Sequence, residues 1–215
     1  MNDKTLRQIV IDELEFEPRI DAAHIGVTAE GGVITLTGHV GSYAEKIAVE
    51  EAVRRVKGVK AIAEEIEVRY PFAKKTADDE IAKRAVHILE WDSSIPKNRV
   101  EIKVQRGWIT LSGEVDWYFQ KQAAEHAVRK LTGIVGVNNM ISIKQTVQSG
   151  DVRKRIEEAF KRNAELEADG IRVSVSDGKV TLEGKVKAWY ERNVAEQAAW
   201  AAQGVRAVED HIQVG

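Results

Sequence analysis

The chain has no cysteine among its 215 residues, which excludes disulfides, thiol catalysis and thiolate metal sites. Prolines number three and methionines two. No stretch approaches the roughly 20 consecutive apolar residues that a membrane helix needs. The start, Met1 to Arg7, has no basic region followed by an apolar run, so it does not read as a secretory signal. The expected location is therefore cytoplasmic, with the periplasm as the alternative if a leader has been removed. Neither sign of charge dominates: 32 Lys and Arg stand against 34 Asp and Glu. The balance is uneven along the chain, with 9 basic and 13 acidic residues in 1–70, 12 and 9 in 71–146, and 11 and 12 in 147–215. The middle third is mildly basic but falls far short of a nucleic-acid footprint, so no nucleic-acid partner is expected.

What the sequence does contain is one unit written three times. Residues 6–68, 81–143 and 152–214 align without a gap over 63 residues each. Nine columns are identical in all three copies, among them Thr35/Thr110/Thr181, Leu36/Leu111/Leu182 and Glu50/Glu125/Glu196. Three further invariant columns are glycines: Gly32/Gly107/Gly178, Gly38/Gly113/Gly184 and Gly58/Gly133/Gly204, with Val40/Val115/Val186 and Ile66/Ile141/Ile212 among the apolar ones beside them. Internal repetition at this length sets the architecture before any local reading. It divides the chain into domains at 1–70, 75–146 and 147–215.

Each copy reads as α-β-β-α-β. A first helix carries Leu6, Val10 and Leu14, then Ile81, Ala85 and Leu89, then Val152, Ile156 and Phe160, all at helical spacing. Asp3, Asp79 and Asp151 suit its cap or first turn. Two strands follow, with Val100, Ile102 and Val104 alternating against Glu101 and Lys103. Gly31-Gly32, Arg106-Gly107 and Asp177-Gly178 lie between the two strands, and Asp-Gly is a strong tight-hairpin signal. Gly38, Gly113 and Gly184 are expected to end the second strand. A second helix bears Val49, Ala52, Val53 and Val56, and Gly58, Gly133 and Gly204 stand where a helix end favours a left-handed residue. The last strand is parallel to the second if the two are neighbours. The fold class is α+β: three tandem αββαβ domains, each a three-stranded mixed sheet with two helices on one face. A 63-residue core is marginal alone, so packing between copies is expected to matter.

The run Gly32-Val33-Ile34-Thr35-Leu36-Thr37-Gly38-His39-Val40 recurs as Gly107-Trp108-Ile109-Thr110-Leu111-Ser112-Gly113-Glu114-Val115 and as Gly178-Lys179-Val180-Thr181-Leu182-Glu183-Gly184-Lys185-Val186. Followed by a helix and a Gly-led strand, this pattern resembles the BON domain. The resemblance implies a bacterial protein without catalytic activity. It also implies association with phospholipid or membrane surfaces, often under osmotic stress. One cytoplasmic member of that family senses potassium, so a monovalent cation is a further implied partner. The shared residues make the fold and carry no catalytic roles.

Chemistry-bearing patterns are scarce. No two of His24, His39, His87, His126 and His211 stand three or four apart, so no helical metal pair exists. There is no Gly-x-Ser-x-Gly elbow, phosphate-binding loop or His-Glu-x-x-His run. The adjacent acids Glu50-Glu51, Glu64-Glu65, Asp78-Asp79 and Glu157-Glu158 point apart in either a helix or a strand. Lys46, Lys121 and Arg192 stand four residues before Glu50, Glu125 and Glu196, and i,i+4 pairing is the simple expectation. No cofactor and no metal site is read from the residues.

The informative departures from the repeat are aromatic. Trp108 faces away from Ile109 and Leu111, where the other copies have Val33 and Lys179. Met140 occupies the outward column of Glu65 and His211. Trp117-Tyr118-Phe119 enters the second helix where the other copies have Ser42-Tyr43-Ala44 and Ala188-Trp189-Tyr190. Tyr43, Tyr118 and Trp189 share a column and are expected to pack in every copy. Phe16 and Trp91 share one after the first helix and are expected to close the core. Trp108, Trp117, Phe119, Lys121 and Met140 form the candidate contact surface of the middle copy. Amphipathic aromatics beside a cation suit an anionic phospholipid surface. The alternatives are a protein partner held by a scaffold or chaperone-like module, packing between copies, and a potassium sensor.

Overall fold

The computed structural model describes residues 2–70, 76–144, 149–163, 170–187 and 189–214. It forms two compact units: Met1–His87 with Lys103–Ile109 and Val128–Asn138, and Ile88–Ile102 with Thr110–Ala127 and Asn139–Gly215. The first unit holds the whole first repeat and the second holds the third, while the residues of the middle repeat divide between them.

In the first repeat, helix α1 (Asp3–Phe16) starts at Asn2, whose side chain accepts a hydrogen bond from Thr5 N at 2.8 Å. Leu6, Val10 and Leu14 are buried on one stripe. A 3-10 turn (Ala22–His24) leads into strands β1 (Ile25–Glu30) and β2 (Val33–Val40). These pair antiparallel with Val27 opposite Leu36. Helix α2 (Tyr43–Arg55) is capped by Ser42 through Glu45 N at 3.1 Å. It then delivers β3 (Ala61–Val68) parallel to β2, with Leu36 opposite Glu64. The sheet order is β1-β2-β3, and its inner face packs Val27, Ile34, Leu36, Val40 and Ile66 under the two helices.

The middle repeat contains α3 (Asp78–Trp91), β4 (Val100–Gln105), β5 (Trp108–Val115) and α4 (Tyr118–Arg129). Its last strand differs from expectation. It is broken into β6 (Gly136–Asn139) and β7 (Ser142–Ile143), both paired with β5. Ile81, Ala85, Leu89, Ile109, Leu111 and Ile141 are buried at the expected positions. The third repeat contains α5 (Ser149–Arg162), β8 (Ile171–Ser176), β9 (Lys179–Val186), α6 (Trp189–Trp200) and β10 (Ala207–Val214). Its order is β10-β9-β8, with β9 antiparallel to β8 and parallel to β10. Val152, Ile156 and Phe160 are buried on α5 against Val173, Val180 and Leu182.

The hairpin turns are two-residue connections with both residues left-handed: Gly31 and Gly32 (φ 58° and 89°), Arg106 and Gly107 (53° and 78°), Asp177 and Gly178 (49° and 76°). That geometry matches the twist of the flanking strands. An acid at the start of the first helix holds the turn. Asp3 accepts from Gly31 N at 3.1 Å, and Asp78 accepts from Arg106 N at 2.7 Å and Gly107 N at 2.9 Å. In the middle repeat this acid is Asp78 rather than Asp79, which pairs instead with Lys83 at 3.2 Å.

Two expectations need correction. Gly38, Gly113 and Gly184 do not end the second strand; it runs two residues further, to Val40, Val115 and Val186. They sit inside it with φ of 110°, 119° and 142°, where a side chain would overlap the carbonyl oxygen of His24, Arg99 or Gly170. Phe16 and Trp91 do not close the core, being 84% and 78% exposed. Each follows the last buried residue of its helix by two positions, and two steps of a 3.6-residue helix turn a side chain about 200° away from the buried stripe.

Candidate functional site

The second helix is tied to the last strand by one repeated device. Lys46, on α2, reaches Glu64 at 3.1 Å and donates to Ile66 O at 2.8 Å. Arg192, on α6, meets Asp210 at 2.6 Å, and that carboxylate also accepts from Ile212 N at 2.9 Å. The expected pairing of Lys46 with Glu50 along the helix is not what forms, since Glu50 pairs with Arg54. A cross-strand acid on the inner side of the sheet outcompetes the helical neighbour because the ion pair is partly shielded there. Lys46 and Glu64 keep 23% and 25% side-chain exposure.

The middle repeat breaks this device. Asn139 stands in the column of Glu64 and Asp210. Its amide nitrogen donates to Lys121 O at 3.0 Å and to Glu125 Oε2 at 2.9 Å, while its oxygen accepts from Ile141 N at 3.2 Å. Lys121 keeps its place on α4, half-buried, but among the described residues no carboxylate lies within ion-pair distance of its ammonium.

Lys121 stands in the first turn of α4, after the half-buried Trp117 and the exposed Phe119. Gln120 holds the helix start by accepting from Asp116 N and Trp117 N, each at 3.1 Å. The rings of Trp117 and Phe119 approach to 6.3 Å between centroids, and Phe119 is 54% exposed. Tyr118, between them, turns away and stacks on Trp200. Tyr43, its counterpart in the first repeat, is buried in the expected way; the side chain of Trp189 lies outside the described residues. Met140 is 70% exposed in the gap between β6 and β7. Trp117, Phe119, Lys121 and Met140 all belong to the second unit.

Trp108 belongs to the first unit. It is half-exposed, and its ring lies across Gly136, where any side chain would overlap it. Its counterparts face alanine: Val33 opposite Ala61 and Lys179 opposite Ala207. The glycine makes room for the indole, and the ring covers backbone that the glycine leaves bare. The same unit contains an open cavity of about 770 Å³ lined by Val68, Tyr70, Ala77, Arg106 and Val135 among others, with Tyr70 donating to Ile134 O at 2.6 Å.

Sequence reasoning missed three features. Asn139 was signalled by the Glu64/Asn139/Asp210 column. The Tyr118–Trp200 stack had no sequence signal, because it joins different repeats. Nor had the pairing of His24 with His39, whose rings stack at 4.7 Å. Among the described residues, no three His, Asp or Glu side chains converge as a metal site would require. No described helix is long and apolar enough to cross a membrane.

Comparison with known proteins agrees with the repeat. The family described as BON domain matches residues 2–70, 77–145 and 148–215. The chain is similar to the osmotically-inducible protein Y of Escherichia coli (strain K12), with 26% identity over 151 residues that cover 67% of this chain and 74% of the relative. Among solved structures, it resembles CdsD, a structural protein of the type III secretion system of Chlamydia trachomatis. That match has 17% identity, covers 98% of this chain and 92% of that one, and has a TM-score of 0.27. The C-terminal domain of CdsD is matched at 16% identity and a TM-score of 0.26. Scores that low carry no argument.

Proposed function

We propose that this chain, which belongs to the BON domain family in all three of its repeats, is a non-enzymatic, stress-associated protein that docks its middle domain on an anionic phospholipid surface. The observation that carries this reading is the start of α4. There Trp117, one turn before Lys121, and the exposed Phe119, two residues before it, stand near a cation that has no carboxylate within ion-pair distance among the described residues. Aromatic rings at the headgroup level and a lysine facing anionic lipid supply the two terms of interfacial binding. The middle domain is also the basic one, with 12 basic and 9 acidic residues in 71–146. The stress association rests on the name of the osmotically-inducible relative. The domain boundaries 1–70, 75–146 and 147–215 and a cytoplasmic location belong to the same proposal; fractionation of the native host tests the location, and recovery in the envelope would overturn it.

The test is co-sedimentation of the full chain with phosphatidylglycerol and with phosphatidylcholine vesicles. Binding to the first, lost in Trp117→Ala and Phe119→Ala with thermal unfolding unchanged, is the expected result. Failure to bind either vesicle overturns the reading. A rise in unfolding temperature with potassium alone would move the function to cation sensing, because a ligand of the folded state raises its stability. A soluble partner lost on Trp108→Ala would move it to protein interaction.

A further inference from the structure

We infer that Lys121 is the residue that selects anionic surfaces, and that Asn139 makes it so by standing where the other two repeats hold a neutralising acid. The inference rests on the docking reading above and names its charge determinant. Three equivalent positions supply the argument. In the first and third repeats the cation of the second helix is consumed by the last strand, Lys46 by Glu64 at 3.1 Å and Arg192 by Asp210 at 2.6 Å. Both pairs are largely shielded, with Asp210 at 11% side-chain exposure, so neither cation is available to a ligand.

In the middle repeat the fold keeps the cation and changes its partner to an amide. Asn139 still bridges helix and strand, through Lys121 O and Glu125, so the geometry survives without the charge. An amide donates and accepts but carries no charge, so among the described residues no carboxylate lies within ion-pair distance of Lys121, and Glu125, one turn on, is held by Asn139 instead. Only this repeat places an aromatic just before the shared column at the helix start: Trp117 where the first has Ser42 and the third Ala188, whereas the Phe119 column holds Ala44 in the first and an exposed Tyr190 in the third. The unpaired cation and the added Trp117 thus occur in the same copy, four residues apart.

The experiment compares the full-length protein with Lys121→Gln, Asn139→Asp and the double variant, titrated with phosphatidylglycerol and phosphatidylcholine vesicles at low and high salt. Each single variant is expected to bind phosphatidylglycerol about fivefold more weakly, the worth of one lysine near an anionic surface, with a shallower salt dependence. The double variant separates pairing from mere charge. If the aspartate acts by neutralising Lys121, adding it to Lys121→Gln changes nothing further. An additional loss in the double variant would show that any negative charge there suffices, and would overturn the inference. Anionic preference that survives both single variants overturns it too while leaving docking by Trp117 and Phe119 intact. No anionic preference in the unmodified chain removes both readings. Thermal unfolding of Lys121→Gln, which leaves the Asn139 bridge in place, guards against loss of fold.

Discussion

The phenol ring of Tyr118 lies flat on the indole of Trp200, with centroids 3.8 Å apart and planes inclined by 17°. The contact joins α4 of the middle repeat to the last residue of α6 within the second unit, and the indole nitrogen is held by Glu196 at 3.4 Å. A double-mutant cycle of Tyr118→Ala and Trp200→Ala in urea is expected to give a coupling of about 0.5–1.5 kcal/mol, the usual worth of an aromatic pair beyond its area. Burial also raises the Tyr118 phenol above its ordinary value of 10.0. The fold favours the neutral ring, so this contribution is complete below that value and fades as pH rises through the higher folded value. Additive mutants would show that the stack couples nothing.

Gly113 and Gly31 both have positive φ, yet they should answer substitution very differently. At Gly113 (φ 119°) a side chain would overlap Arg99 O, whereas at Gly31 (φ 58°) nothing lies within 4 Å. Gly31→Ala is expected to cost about 1–2 kcal/mol, the left-handed penalty alone. Gly113→Ala is expected to cost roughly 3 kcal/mol or more, because backbone displacement adds to the strain. Chemical denaturation of the two variants checks this, and equal losses would mean that the strand yields to the clash.

Glu17 lies just past α1 and receives Arg19 Nε at 2.9 Å and Arg19 Nη2 at 3.0 Å, with Arg55 Nη2 of α2 at 3.5 Å. The Arg19 hydrogen bond, chiefly, lowers its carboxyl from 4.5 to about 2. The folded value lies below the unfolded one, so the tie contributes above about pH 4.5 and is lost as pH falls toward 2. A carboxyl NMR titration should find the low midpoint in the unmodified chain and a return toward 4.5 in Arg19→Ala. An ordinary midpoint before mutation would mean that the arginine does not hold the acid in solution.

Much of the fold was legible because its signals are local and were written three times. The stripe Leu6, Val10 and Leu14 and its two counterparts are buried as their spacing demands. The hairpin glycines take the left-handed conformation that two-residue turns need. The misreadings have local causes as well. Phe16 and Trp91 were assigned by residue type instead of by helical angle, and an apolar side chain at a helix end is free to face water. Gly38 was read as a strand terminator, when it is required by the carbonyl of His24 pressing on the strand from its neighbour.

The candidate site divides along the same line. That Trp117 departs from the repeat while Lys121 keeps to it is plain in the sequence, as is the asparagine at 139. Which of them is exposed and which cation is neutralised could not be read there. Lys46 had an acid four residues away in Glu50 and took one 18 residues away in Glu64.

By itself, then, the sequence determined the threefold αββαβ repeat, the burial stripes and the turn chemistry. Each of these depends on residues within a turn of helix or a few steps of strand, where periodicity and backbone preference decide. Only the tertiary structure decided that Tyr118 leaves its own repeat for Trp200, that Trp108 covers Gly136, and that Lys121, unlike Lys46 and Arg192, has no carboxylate within ion-pair distance among the described residues. Those outcomes are competitions among partners brought close by chain folding, and proximity across strands and helices is not written in sequence spacing.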